Sequence, residues 1–244
     1  MLTTGFSSFV NYKDYNTMRS SKIKEYSERL KREFFADLFI TDRKPEFLVL
    51  YFGGSGVDGR TYADRGKTII PVFDSSFLRL EKEMGFAFSY IPSPPDIRIT
   101  LLGSSDEEKS LWNGHIDCEL LPLLPKLPFY LIGYSGGIAL ASCGMNLSGV
   151  CFGGGALGGD QLPVDFEKGA WKEPLSLYYN TQDRVYESNR GAIDVLEKRG
   201  AAKCYRRLPG GHDISDYLTN GSFDGLLRRA GRLFASHLSI GIEN

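Results

Sequence analysis

The sequence predicts an α/β architecture, a mostly parallel sheet with helices on both faces. Three observations carry that expectation. After residue 45, strand-like and helix-like segments alternate along the chain. Phe47-Leu48-Val49-Leu50-Tyr51-Phe52 is an unbroken apolar run, the pattern of a parallel strand covered on both faces. Pro128 to Ala141 reads as a buried strand, a glycine-flanked bend and a helix of small residues, with the hydroxyl of Ser135 at the bend.

The first 44 residues are expected to add antiparallel strands at one sheet edge. Glu33 to Ile40 is the best strand there, although Tyr26, Leu30, Phe34 and Leu38 also fit helical spacing. The Phe47–Phe52 strand opens onto Gly53-Gly54-Ser55-Gly56, and Phe73, Phe77, Leu80 and Met84 mark the helix that follows. Ala87 to Ile91 is the next strand. Pro92 to Ser104 has no assigned place, although Asp96 to Leu101 alternates like an edge strand, and Ser105-x-x-Glu108 is a capping box for the helix before Ser135. Beyond it, Gly149-Val150-Cys151-Phe152 and Leu175-Ser176-Leu177-Tyr178-Tyr179-Asn180 read as strands. A helix then carries Ala192, Val195, Leu196 and Arg199 at helical spacing and ends at Gly200. Lys203 to Arg207 is a strand, and Phe223, Leu226, Leu227, Ala230 and Phe234 form the inner face of a C-terminal amphipathic helix.

Gly133 and Gly137 flank Ser135 in the G-x-S-x-G spacing of a nucleophile elbow, where a strained strand-to-helix turn thrusts the serine Oγ above the sheet. The same turn directs the N–H of Gly136 toward the place where an oxyanion would form. A serine hydroxyl is a weak nucleophile at neutral pH, so this chemistry requires a histidine base and a carboxylate that holds it. Of the three histidines, His115 falls in an upstream helix and His237 near the end of the last helix. His212 lies on the loop Leu208-Pro209-Gly210-Gly211-His212-Asp213, after a strand. The carboxylate is expected at a strand end between the two. Asp183 in Thr181-Gln182-Asp183-Arg184 meets that requirement, and it could also cap the following helix. Its competitors Asp160 and Asp165 precede the strand, and Asp213 is too close to His212 in sequence to orient its Nδ1.

With Ser135, Asp183 and His212 in this order, residues 45 to 238 resemble the α/β-hydrolase family, in particular its compact, lidless dienelactone-hydrolase and carboxylesterase branch. The resemblance implies a single α/β-hydrolase domain and a serine hydrolase that cleaves a carboxylic ester through an acyl-enzyme, with no cofactor and no metal. It also implies a second oxyanion donor after the Phe47–Phe52 strand, assigned to Gly54 with Ser55 as the close alternative. Where the family usually has His-Gly at this place, this chain has Phe52-Gly53. The Phe-Gly-Gly is similar to the oxyanion loop of acyl-CoA thioesterase relatives, so thioesterase or acyltransferase work is the alternative. A non-catalytic binding protein on the same scaffold is the alternative from another class. The stretch from Gly153 to Glu173 is too short for a helical cap, which predicts an open cleft walled by Tyr134, Phe52, Tyr62 and Trp171, with Tyr51 nearby.

Gly153-Gly154-Gly155-Ala156-Leu157-Gly158 matches a dinucleotide fingerprint in spacing, but Gly159-Asp160-Gln161-Leu162-Pro163 does not open the helix whose N-terminus would hold a pyrophosphate. Under the hydrolase reading those glycines leave room for substrate. Lys and Arg number 29 against 30 Asp and Glu, with no basic stripe, so no nucleic-acid or membrane partner is expected, and the partner that the resemblance implies is a small-molecule ester or thioester. Met1 to Ser20 has no apolar signal core, from which a cytoplasmic location is expected; oligomeric state is not legible. Cys118, Cys143, Cys151 and Cys204 lack metal or redox spacing and are expected as buried free thiols.

Overall fold

The computed structural model describes residues 18–41, 43–54, 76–92, 106–137, 147–159, 162 and 175–241. Eight strands form one sheet: β1 (Met18–Ser27), β2 (Arg32–Thr41), β3 (Phe47–Phe52), β4 (Phe86–Ile91), β5 (Phe129–Tyr134), β6 (Cys151–Leu157), β7 (Leu175–Asn180) and β8 (Ala202–Leu208). The described helices are α1 (Ser76–Met84), α2 (Asp106–His115), α3 (Arg184–Lys198), α4 (Ile214–Thr219) and α5 (Ser222–Gly241). Strand order is β1-β2-β4-β3-β5-β6-β7-β8. The β1–β2 and β2–β4 pairs are antiparallel, and β4 through β8 run parallel.

Alternation within the central strands assigns the two faces. Phe47, Val49 and Tyr51 of β3 with Phe86, Phe88 and Tyr90 of β4 point to one side, where Leu80 of α1 and Phe223, Leu226, Leu227, Ala230 and Phe234 of α5 close over them. Leu48, Leu50 and Phe52 point to the other, against Ile116 and Leu120 in the turns after α2. Farther along that sheet, Leu175, Leu177 and Tyr179 of β7 pack on Ile193 and Leu196 of α3. The chain moves from β3 outward to β4 in one direction and from β5 outward to β6 in the other. The C-terminal ends of β3 and β5 therefore flank the topological switch point, where an open α/β sheet forms its crevice.

The expected N-terminal antiparallel strands form a β-hairpin of two ten-residue strands in which Met18 pairs with Thr41 and Ser27 with Arg32. Several other expectations change against this structure. The helical spacing of Tyr26, Leu30, Phe34 and Leu38 loses to strand alternation, with Phe34, Ala36 and Leu38 directed into the core and Tyr26 exposed. Strand β6 starts at Cys151 and runs through the glycines to Leu157. Those glycines make room for helix and aromatic packing rather than substrate: a Cβ on Gly153 would meet Leu233 at 2.8 Å and Tyr130 at 2.9 Å, and one on Gly155 would crowd Leu226 and the carbonyl of Ser176 at 3.1 Å. Phe52 is a core residue with 1 % exposure, not a wall of the cleft, and Tyr51 is equally buried on the opposite face. In α3, Ile193 and Leu196 face inward while Val195 is exposed. Cys118 is exposed, and Cys151 and Cys204 are half-buried, so the expected burial does not hold for these three.

Cys143, Phe73, Ser105, the stretch 93–105 and most of the β6–β7 connection lie outside the described residues. Among the described residues no helix is long and apolar enough to cross a membrane, and no cluster of His, Cys, Asp and Glu is placed to hold a metal ion.

Candidate active site

Four chain segments meet above the C-terminal ends of the parallel strands. β5 delivers Ser135, which has φ +50°, a left-handed conformation that non-glycine residues seldom adopt. The Ser135 N–H donates to the carbonyl of Leu157 at 3.0 Å, which extends the β5–β6 ladder by one bond before the chain turns. Gly137 lets that turn lie flat on the neighbouring strand, because a Cβ there would stand 2.6 Å from the carbonyl oxygen of Gly53 and would clash with that of Phe52. β3 delivers Gly54, where a Cβ would be 3.2 Å from the Cβ of Ser135 and 2.8 Å from the ring of Tyr134. Gly54 is thus brought against the elbow, as is the buried Gly136 that follows Ser135 in the chain.

β7 ends at Asn180, and the turn after it carries Asp183. Asp183 does two things at once. It is the N-cap of α3, with Oδ1 accepting the Val185 N–H at 2.9 Å, and both of its oxygens lie 3.0 Å from His212 Nδ1. The other imidazole nitrogen, Nε2, is 2.8 Å from Ser135 Oγ. An ionised carboxylate only accepts, so the proton resides on Nδ1 and the lone pair of Nε2 faces the serine hydroxyl. Asp183 is 1 % exposed. Its burial opposes the charge, but hydrogen bonds from His212, Tyr217 and Val185 outweigh it and hold the carboxyl below its ordinary range.

The loop bearing His212 is fixed from several sides. Asn180 Nδ2 donates to the Gly211 carbonyl at 2.9 Å, the Gly211 N–H donates to Asp216 at 2.7 Å, and Asn220 Nδ2 donates to the Pro209 carbonyl at 2.8 Å. Tyr134 donates its hydroxyl to the carbonyl of His212 and stacks its ring on the imidazole, centroids 5.6 Å apart. Beneath the pair sits Gly158, φ +50°. A Cβ there would come within 2.7 Å of the Tyr217 hydroxyl, 2.8 Å of Asp183 Oδ2 and 3.0 Å of His212 Nδ1.

The sequence-derived trio Ser135, Asp183 and His212 is therefore within hydrogen-bond reach, and Gly54, Gly136 and Tyr134 adjoin it. Ser55, Tyr62 and Trp171 lie outside the described residues, as do the rival acids Asp160 and Asp165. Asp213 instead caps α4, accepting the Ser215 N–H at 2.8 Å. His115 is buried, with Nδ1 2.7 Å from Glu119, and His237 is exposed on α5. Tyr217 and Gly158 were not singled out by sequence. Gly158 is visible only as the last glycine of the Gly153–Gly158 run, which points to no role at the site, and the one signal for Tyr217 is that it lies in the short helix directly after the His212 loop.

The sheet, with an elbow after β5, an acid after β7 and a histidine after β8, has the α/β-hydrolase fold. Solved structures agree. The chain is similar to a ferulic acid esterase, with a TM-score of 0.64 and 14 % identity over 92 % of this chain and 100 % of that one. It is also similar to an S-formylglutathione hydrolase from Agrobacterium tumefaciens, with a TM-score of 0.65 and 14 % identity over 90 % of this chain and 98 % of that one. The enterochelin esterase of Shigella flexneri matches with a TM-score of 0.64 and 18 % identity over 88 % of this chain, which spans 59 % of that larger protein. No family model and no curated protein sequence matches the chain.

Proposed function

We propose that this protein is a serine hydrolase that cleaves a carboxylic ester through an acyl-enzyme. The observation that carries this reading is the continuous chain of hydrogen bonds from Ser135 Oγ through His212 to the buried Asp183. Three groups in hydrogen-bond contact at a topological switch point, one of them a serine in strained backbone, suit nucleophilic acyl transfer, and capping α3 would require only Asp183. Similar folds named ferulic acid esterase and enterochelin esterase support ester hydrolysis on this scaffold.

In this reaction Ser135 Oγ attacks the ester carbonyl carbon while its proton passes to His212 Nε2. Asp183 holds the imidazole tautomer and stabilises the imidazolium that forms. The N–H groups of Gly136 and Gly54 take the oxyanion. The tetrahedral intermediate collapses with the C–O bond to the alcohol breaking, and the His212 proton moves to the leaving oxygen. Water, deprotonated by the same imidazole, then attacks the acyl-serine and releases the acid. Neither step calls for an electron donor or acceptor.

The expected substrates are aryl esters of short acids. An open cleft gives each added methylene at most about 0.8 kcal/mol of burial, so preference among short acyl chains is shallow and kcat/KM declines for chains beyond about eight carbons. The test is a kinetic series of aryl esters from two to sixteen carbons beside matched acyl thioesters, for wild type and Ser135→Ala. The reading expects short esters to be turned over and Ser135→Ala to be inactive. A steep rise toward sixteen carbons, or turnover of thioesters alone, assigns the protein to thioester chemistry instead.

A further inference from the structure

The side of Asp183 facing away from the histidine is occupied by a phenol. Tyr217, on α4, is fully buried and its hydroxyl hydrogen-bonds Asp183 Oδ2. The direction of that bond follows from the ionised carboxylate, which only accepts, and a second bond agrees with it. The backbone N–H of Asn180, which can only donate, points at the same phenol oxygen at 3.3 Å. The oxygen of Tyr217 therefore accepts from Asn180 and its proton goes to the carboxylate. With Val185 N–H on Oδ1 and Nδ1–H of His212 shared between both oxygens, the carboxylate is satisfied on every side. Gly158 closes the space below, too tightly for any side chain.

We infer that Tyr217 is a positioning residue of the acid–histidine pair: its hydroxyl fixes the plane of the Asp183 carboxylate and, by drawing on that carboxylate's charge, sets how strongly Asp183 holds the His212 imidazolium. The inference rests on the serine-hydrolase reading for its kinetic consequences, but not for its geometry. Burial and the Asp183 contact raise the phenol's pKa, so Tyr217 stays a donor at all working pH values. Among the described residues, the charged and titratable groups facing the pair are Tyr134 from β5, Tyr179 from β7, Asp213 beside the histidine, and Asp216 and Tyr217 from α4. Of these, Tyr217 is the one that touches Asp183. The Tyr217 ring also meets Tyr134 edge-on at 6.1 Å, and Tyr134 in turn stacks on His212, so one aromatic stack supports both partners.

The test compares Tyr217→Phe with Tyr134→Phe, which removes a hydrogen bond from the same histidine loop but not from Asp183. Tyr217→Phe is expected to lower kcat/KM for a short aryl ester roughly tenfold. It is also expected to move the acidic limb of the kcat/KM profile to higher pH, because a carboxylate relieved of one donor pulls harder on the imidazolium. Tyr134→Phe should lower activity with the limb in place. A 3-fluorotyrosine at position 217, a stronger donor of nearly unchanged shape, should move the limb the opposite way and keeps the test open if the phenylalanine variant does not fold. A limb that stays put in both position-217 variants overturns the inference. If the protein hydrolyses no ester, the hydrolase reading fails separately. The downfield proton resonance of His212 Nδ1–H, which needs no substrate, must then titrate differently in the position-217 variants, and an unchanged titration overturns the inference on its own.

Discussion

Gly158→Ala isolates the packing under the acid–histidine pair. The substitution carries two costs of separate origin. An L-residue at φ +50° costs roughly 1–2 kcal/mol of stability. The new methyl would also stand 2.7, 2.8 and 3.0 Å from Tyr217 Oη, Asp183 Oδ2 and His212 Nδ1, against an ordinary contact of about 3.5 Å, so the pair must yield by roughly 0.5–0.8 Å. A misplacement of that size at a reacting constellation costs about 100-fold in rate. Gly200→Ala separates the two effects. Gly200 has φ +68° and a Cβ there meets nothing within 4 Å, so that variant carries the backbone strain alone. Backbone strain alone should lower the Tm of Gly200→Ala by about 2–8 °C, given about 2–4 °C per kcal/mol in a chain of this size, and Gly158→Ala, which adds crowding, should lose at least as much. Only Gly158→Ala should lose kcat/KM for a short aryl ester, by about two orders of magnitude. Equal activity in the two variants at matched folded fraction would refute the reasoning, because the packing beneath the pair would then have no bearing on the chemistry.

Two further outcomes follow from the same geometry. Asp183→Asn leaves the shape of the side chain but presents an amide to an array of donors, which favours the wrong histidine tautomer. Its kcat should fall by about 10⁴ with the fold retained by circular dichroism, whereas Asp160→Asn and Asp165→Asn should stay within about tenfold of wild type. Away from the site, burial depresses the pKa of His115, with the hydrogen bond to Glu119 opposing it, so the unfolded chain takes up this proton first as pH falls. The stabilisation by neutral His115 is complete above its unfolded value of about 6.5 and is lost on acidification toward the depressed folded value. Thermal melts between pH 8 and pH 5 should therefore show a shallower acid-side loss in His115→Gln than in wild type. The depressed pKa of Glu119 is compatible with that neutrality, since neutral His115 and Ser27 both still donate to its carboxylate.

The parts legible in the sequence are those where one physical signal acts alone. β3 and β5 are apolar on both faces, β7 alternates an apolar face of Leu175, Leu177 and Tyr179 with a more polar one, and each ends at turn residues, so pattern and punctuation locate them. Ser135, Asp183 and His212 are legible because elbow, strand end and glycine loop each impose local residue choices that survive in one sequence. β6 was misread beyond Phe152 because three glycines look like a loop. What makes them a strand is tertiary, namely Leu226, Leu233 and Tyr130 filling the space their side chains would take. The N-terminal hairpin hides its turn for a similar reason. Glu28 to Lys31 contains neither Gly nor Pro; Lys31 takes φ +53°, and the turn is held by Ser27 Oγ, which accepts the Leu30 N–H at 2.9 Å, and by Glu119 from across the fold. Tyr134 shows the limit at the site itself. Its place beside the serine was legible, but its stacking on His212 depends on a loop 78 residues away.

The most direct measurement of the central claim is covalent labelling by a fluorophosphonate, followed by intact mass and peptide mapping. Such a probe requires an activated serine beside an oxyanion site, with no assumption about the natural acyl or alcohol group. The account predicts one adduct per chain, mapped to Ser135, abolished in Ser135→Ala and strongly slowed in His212→Ala. Folded wild-type protein that takes no label, or an adduct that persists in Ser135→Ala, would contradict it.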